Sequence, residues 1–281
     1  KTQSKKLNDE QKEALSKIAS DLDENRFNVH LLHGITGSGK TEIYMQAIDK
    51  VLKEGGGVLV LVPEISLTAQ AIDRFKSRFS ENISVLHHRL SDGERFDAWH
   101  SLRNGKTKIA LGARSAVFAP VQNLRLIVVD EEHETSYKQT DEMPCYNARD
   151  VAVLRGSFEN ALVILGSATP SLESYYNALS GKYSLSTLSL RAGKSSLPEV
   201  TVIDMRKEFE KAKGYTIFSE SLLSKIKERK EKGEQSILFL NRRGFHTSCT
   251  CLSCGSFVKC KSCDAAMTYH KKEIALTCHL C

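Results

Sequence analysis

No stretch of this 281-residue chain is apolar for anything near the roughly 20 residues that cross a bilayer as a helix, which excludes a helical membrane protein. The opening residues, Lys1-Thr2-Gln3-Ser4-Lys5-Lys6, have no apolar core behind them, so no signal peptide is expected. Residues 249–281 are too short of large aliphatic side chains to build a core of their own. No internal repeat stands out apart from spaced cysteine pairs. A large charge of one sign is also missing, since 40 Lys and Arg face 34 Asp and Glu. What remains is a cytoplasmic protein, whose cysteines read as metal ligands or buried thiols rather than disulfides. The small basic surplus is uneven. Residues 205–281 carry 15 Lys and Arg against 8 Asp and Glu, and the rest of the chain is close to neutral. A basic region suits a polyanion, although the run Lys225–Lys232 reads better as a solvated helix face.

Short β-branched runs, apolar on both faces, recur along the first two thirds of the chain: 27–32, 58–62, 83–86, 108–111, 126–129 and 161–165. Segments with helical spacing lie between them, at 65–79, 95–102, 147–158 and 171–179. The alternation predicts an α/β fold with a doubly wound parallel sheet and ligands at the carboxyl ends of its strands. A second unit is expected from about residue 195, with strands at 200–203 and 236–240 around a helix at 219–232. Residues 181–198 read as the linker. The expected division is 1–194, 195–248 and a cysteine-rich piece at 249–281.

Gly34-Ile35-Thr36-Gly37-Ser38-Gly39-Lys40-Thr41 matches G-x-x-x-x-G-K-[ST] at every fixed position and sits between a strand and a helix. Glycines there let backbone N–H groups face a phosphate, and the helix start adds partial positive charge. Lys40 would reach the terminal phosphates and Thr41 would ligate Mg²⁺. The run 126–129 ends in Asp130-Glu131-Glu132-His133. Asp130 would hold Mg²⁺ through its water shell, and Glu131 would orient and deprotonate an attacking water. Ser167-Ala168-Thr169 ends the next strand, where its hydroxyls can meet His133 or Glu131. A helix cap before Pro170-Ser171 explains the same residues equally well.

In this order the motifs resemble those of superfamily 2 helicases. A closer resemblance, to the primosomal replication-restart helicases, rests on Val62–Thr68, Gly112–Pro120, Asp130–Gln139 and Leu238–Gly244, with cysteine pairs directly after the last. It implies RecA-like lobes and ATP-driven 3′-to-5′ unwinding with Mg²⁺. It also implies binding of single-stranded and forked DNA at stalled or repaired forks, and work in the bacterial nucleoid with primosome and single-strand-binding proteins. By position it implies that Gln11 lies near the adenine and that Pro63, Ser66, Thr68, Arg114, Ser115 and Arg243 contact DNA. An aromatic-rich loop with Tyr137, Lys138 and Tyr146 would couple DNA to hydrolysis, with His133, Ser167 and Thr169 relaying the state of the nucleotide.

The family's later motifs, with a Gln and paired Arg, and its N-terminal DNA-binding region do not occur in this sequence. The chain is therefore expected to be a central piece of a longer protein. Lacking an arginine finger, it is expected to bind nucleotide weakly and hydrolyse it poorly. Two other readings stay open: a double-strand translocase of repair, against which the cysteine insertion argues, and a nucleotide-switched zinc scaffold, against which Glu131 argues.

The pairs Cys251/Cys254, Cys260/Cys263 and Cys278/Cys281 have the spacing of Zn²⁺ knuckles. Four thiolates close a structural site, so Cys260, Cys263, Cys278 and Cys281 can form one. Cys251 and Cys254 then await a fourth pair, as the resemblance implies, or are completed by His270 or His279. Cys145 and Cys249 fit no pair.

Overall fold

Seven parallel strands form the main sheet, in the order β3-β4-β2-β5-β8-β1-β9. They are β1 (Asn28–Gly34), β2 (Gly57–Leu61), β3 (Ile83–Leu86), β4 (Ile109–Gly112), β5 (Leu124–Asp130), β8 (Leu162–Ser167) and β9 (Ser184–Leu188). A short hairpin, β6 (Lys138–Gln139) with β7 (Tyr146–Asn147), stands outside it. The computed structural model describes residues 4–87, 90–140, 143–192, 198–214, 216–239, 249, 251, 253–270 and 275–281. The chain divides into two compact units, Lys1–Ser196 and Leu197–Cys281.

Helices cover both sheet faces because the central strands are apolar on both; every residue of β2 and β8 is buried. On one face α1 (Asp9–Asp23), α2 (Lys40–Lys53) and α3 (Ala69–Phe79) contribute Ile18, Ile43, Ile48 and Phe75 to a core with Val58, Leu126 and Ile164. On the other, α4 (Asp92–Arg103), α5 (Ala148–Glu159) and α6 (Leu172–Leu179) contribute Leu102, Ala148, Ala152 and Ala178 against Leu59, Ile127 and Val163. The alanines of α5 allow close approach, and a methyl at Gly156 would run into Val163.

Of the eight strands expected from sequence, the six in the first unit form within a few residues of their expected ends. Two differences have identifiable causes. The helix expected over 65–79 is split: Glu64–Ser66 is a 3-10 turn, and α3 starts after Thr68, whose Oγ1 accepts the N–H of Ala71 at 3.2 Å. The expected linker contains β9, which pairs with β1 from His30↔Ser184 to Gly34↔Leu188. Its serines and threonine made an edge strand look like a loop. Helix α1 carries a capping box, with Asn8 and Gln11 each satisfying the other's backbone N–H.

In the second unit, α7 (Met205–Ala212) is capped by Asp204 and α8 (Glu220–Glu231) by Ser219, and neither helix buries a residue. The strand expected at 200–203 is not formed, nor is one present at 236–239. Val200, Val202, Ile237 and Phe239 stand exposed, and among the described residues neither segment pairs with another strand. A two-stranded ribbon, β10 (Thr268–His270) with β11 (Ala275–Thr277), follows in the cysteine-rich part.

Gly166 in β8 lies under the fully buried Tyr44 of α2, and a methyl there would overlap the phenol oxygen. We expect Gly166→Ala to destabilise the protein by about 1–3 kcal/mol in urea titration. Tyr44→Phe, which removes the clashing atom, should restore part of that loss. An unchanged midpoint for Gly166→Ala would mean that the strand has room at this position.

Candidate nucleotide site and metal centre

The turn from β1 to α2 is built for close approach. Gly37 and Gly39 have φ of +80° and +87°, which L side chains rarely adopt. A methyl on Gly39 would also strike the Gln11 amide. Lys40 opens α2 and donates from Nζ to the Gly34 carbonyl at 2.7 Å. Ser38 is fully buried, and its hydroxyl has no hydrogen-bond partner. Gln11 grips this loop: Nε2 donates to Ser38 O at 2.7 Å while Oε1 accepts the Asn8 N–H. The amide expected to read a base is thus also a strut of the loop. A cleft of about 480 Å³ opens here, lined by Gln11, residues 36–42, Asp130 and Glu131, with Lys5, Lys6 and Arg74 at its walls.

Asp130 ends β5, two strands away from β1. Tyr44 spans the gap with a 3.1 Å hydrogen bond from its hydroxyl to Oδ1. Burial, and then the neighbouring Glu131 charge, push the Asp130 carboxyl up to about 6. Glu131 follows in a left-handed conformation, φ +47°. His133 meets both hydroxyls expected of it, Ser167 Oγ at 2.7 Å from Nδ1 and Thr169 Oγ1 at 3.3 Å from Nε2, and its Nδ1 lies 3.7 Å from Glu131 Oε2. Sequence reasoning gave no role to Glu132, which is buried, to Tyr44, or to Gly166. A glycine inside an otherwise β-branched strand was the available signal for close approach.

The residues implied in DNA contact lie on turns after the carboxyl ends of β2, β4 and β5, which are neighbours in the sheet. Ser66, Thr68 and Ser115 are exposed, Arg114 is half-buried, and Pro63 is buried. Arg114 donates to the carbonyl of exposed Lys138 at 3.2 Å. Tyr137 corrects the expectation: it is 1% exposed, with its hydroxyl on Asp130 O at 2.7 Å, so it braces the acidic tip and has no face free for a base. Tyr146 packs edge-on against Phe118. Arg243 lies outside the described residues.

Cys260, Cys263, Cys278 and Cys281 bring their sulfurs within 4.8 Å of one another. Neighbouring Sγ atoms stand 3.4–3.6 Å apart. Four thiolates at about 2.3 Å from a tetrahedral Zn²⁺ hold their sulfurs about 3.8 Å apart, so the donor set fits. The N–H groups of Ser262 and Leu280 point at Cys260 and Cys278 sulfurs. Cys251 and Cys254 are exposed, and their sulfurs lie against the hydroxyls of Ser253 and Ser256. His270 and His279 face each other with Nε2 atoms 2.8 Å apart, and neither joins a larger ligand cluster among the described residues.

Residues 4–172 match the family described as the type III restriction enzyme, res subunit. The chain belongs to this family. Its cysteine-rich end, residues 260–281, matches the PriA DNA helicase Cys-rich region domain, which coincides with the four-sulfur cluster. Over 277 residues, 99% of the chain, it is 52% identical to the replication restart protein PriA of Chlamydia pneumoniae, covering 37% of that protein. The PriA of Bacillus subtilis is 48% identical over all 281 residues, covering 35% of that protein. The resemblance to replication-restart helicases is thus borne out along the whole chain, which spans about a third of the length of these relatives. Among solved structures, RecG bound to a three-way DNA junction aligns over 69% of this chain and 25% of its own, at 24% identity and a TM-score of 0.49. No helix of the described residues is long and apolar enough to cross a membrane.

Two measurements test the site. Burying the Asp130 charge costs stability fully above pH 6, and the cost vanishes below about pH 4, where the carboxyl is protonated folded or unfolded. Asp130→Asn, which keeps an acceptor for Tyr44, should therefore stabilise the nucleotide-free protein by about 1–3 kcal/mol at pH 7–8. That advantage should fade toward pH 4; a gain that grows on acidification would contradict the assignment. For the metal, about one zinc per chain is expected after dialysis. Cys260→Ser should lose it and Cys251→Ser should keep it; the reverse pattern would refute the four-sulfur site.

Proposed function

We propose that this chain is the nucleotide-hydrolysing lobe, with an attached zinc platform, of an ATP-driven 3′-to-5′ DNA helicase that acts at stalled or repaired replication forks. The observation that carries this reading is one cleft lined by both Lys40 and the Asp130–Glu131 tip. The proposed division is a first helicase lobe at 1–194, the beginning of a second at 195–248, and a zinc-binding subdomain at 249–281.

Lys40 leaves the Gly34 carbonyl to pair with the terminal phosphates, and the N–H groups of residues 37–41 cradle them. Thr41 and Asp130 hold Mg²⁺, which supplies charge neutralisation of the phosphates when bound. Glu131 takes the proton of the attacking water. His133, in contact with Ser167 and Thr169, carries the change at the acidic tip into the neighbouring strand. The exposed turns at Ser66, Thr68, Ser115 and Lys138 suit the phosphates of a single strand, through hydroxyls and a cation. Zinc here is structural, because four thiolates leave no open position for water. The longer protein engages single-stranded and forked DNA, primosome proteins and single-strand-binding protein.

In a protein that extends through the second-lobe arginines, single-stranded DNA should stimulate ATP hydrolysis, Lys40→Ala should abolish it, and Glu131→Gln should slow it on the order of 10³-fold to a residual, measurable rate. Residues 1–281 alone should hydrolyse ATP on the order of 10³-fold more slowly, for want of the arginine that offsets transition-state charge. A DNA-stimulated rate in Glu131→Gln equal to wild type would remove the hydrolytic role.

A further inference from the structure

Three acids stand in a row at the tip of β5, and the hydrolysis reading uses only two. The third, Glu132, has a fully buried side chain, so it cannot touch a nucleotide. Its carboxylate is the most heavily bonded group of the tip. Oε1 accepts the Ser171 N–H at 2.7 Å, and Oε2 accepts the Ser171 hydroxyl at 3.0 Å, the Ser174 hydroxyl at 2.8 Å and the Arg149 guanidinium at 3.2 Å. Arg149 also donates to Ser171 Oγ at 2.7 Å. The backbone N–H of Glu132 donates to the Gly166 carbonyl at 3.0 Å. Ser171 caps α6, so the carboxylate also sits at the positive end of that helix. Arg149 lies in the first turn of α5.

These bonds pin the chain immediately after Glu131. Immediately before it, the Asp130 carbonyl accepts the Tyr137 hydroxyl and the Asp130 side chain accepts that of Tyr44. Between the two anchors Glu131 has φ +47°, a conformation that a non-glycine residue keeps only where neighbours impose it. One residue further on, His133 must stay within reach of Ser167 and Thr169, on the strand whose continuation carries Ser171 and Ser174. Glu132 bonds both segments, the acidic tip through its own backbone and the start of α6 through its carboxylate.

We propose that Glu132, braced by Arg149, is a positioning residue for hydrolysis: it fixes the left-handed turn at Glu131 and the register of His133 against Ser167 and Thr169. This rests on the hydrolysis reading and adds to it a second carboxylate that works through the backbone. A charge buried this completely is tolerated because a cation and two hydroxyls meet it. Glu132→Gln keeps Oε1 for the Ser171 N–H but turns an amide donor toward the guanidinium, so the turn should loosen while the fold persists.

The test uses the full-length protein, with fluorescent-ATP binding to count competent sites and DNA-stimulated hydrolysis measured per site. Glu132→Gln should lower kcat per site about 10- to 100-fold, the scale of an ångström misplacement, with nucleotide Kd changed less than about twofold. Arg149→Lys, which keeps a cation beside Glu132, should fall between it and wild type. The Glu131→Gln/Glu132→Gln double variant should be no slower than Glu131→Gln alone, because residues acting as a unit do not add. A merely structural Glu132 would instead reduce the number of sites, or multiply its loss into the double variant. Either result, or an unchanged kcat per site, overturns the proposal while wild-type hydrolysis stands. A wild-type protein that hydrolyses no ATP takes both readings down.

Discussion

The missing side chain at Gly166 is the constraint on which the candidate site depends. The phosphate loop follows β1 and the acidic tip follows β5, and β8 runs between those two strands. Two groups on either side of an intervening strand can share a ligand only if that strand is thin at its carboxyl end. Gly166 makes it thin, and Tyr44 fills the space so that its hydroxyl reaches Asp130. The same residue offers its carbonyl to the Glu132 N–H, and the next residue, Ser167, bonds His133. One strand end therefore sets the position of the loop's helix, of the acidic tip and of the hydroxyls beside it.

Three consecutive carboxyls at one strand tip repel one another, and the fold separates them by environment. Asp130 is driven toward its neutral form by burial and by Glu131, a condition that a cation in the cleft would reverse. Glu131 is partly exposed to the cleft. Glu132 turns inward to Arg149 and two serines. Identical chemistry in the sequence thus becomes a candidate cation ligand, a candidate base and a brace, and the left-handed turn at Glu131 is what sends successive side chains to different surroundings.

Sequence was most informative where a position has only one physical solution. Glycines with positive φ, a lysine at a helix start and β-branched strands buried on both faces leave few alternatives, so the loop and six of the strands were legible. It was least informative where two solutions look alike. Ser184–Leu188 sets three hydroxyl residues among two leucines as a loop segment can, and only pairing with β1 makes it a strand. Tyr137 lies in a stretch expected to couple DNA contact to hydrolysis, but a phenol is equally suited to span a core and reach one carbonyl, which is what it does. Glu132 was hidden by its neighbours, since in a run of acids nothing local says which one faces inward. The apolar runs near 200 and 237 have strand composition without strand structure, because a strand requires a partner and composition does not supply one.

The second unit follows a different stabilising logic from the first. Its helices bury no residue, and its cysteine-rich part has too little apolar surface to fold around a core. Order there begins locally. After Cys251 and Cys254 the chain turns at Gly255, φ +75°, with the Gly255 N–H on Cys251 O and the Cys251 N–H on Ser256 O. After Cys260 and Cys263 it turns at Asp264, φ +57°, with the Asp264 N–H on Cys260 O and the Cys260 N–H on Ala265 O. The two knuckles are the same turn, so local backbone chemistry prepares a thiol pair wherever this pattern occurs. It does not make a metal site. That requires a second pair, and only the ribbon of β10 and β11 delivers one, carrying Cys278 and Cys281 back to the knuckle at Cys260. Binding free energy at such a site is folding free energy, so a bound ion would stabilise the ribbon through the four sulfurs, whereas among the described residues Cys251 and Cys254 join no such cluster.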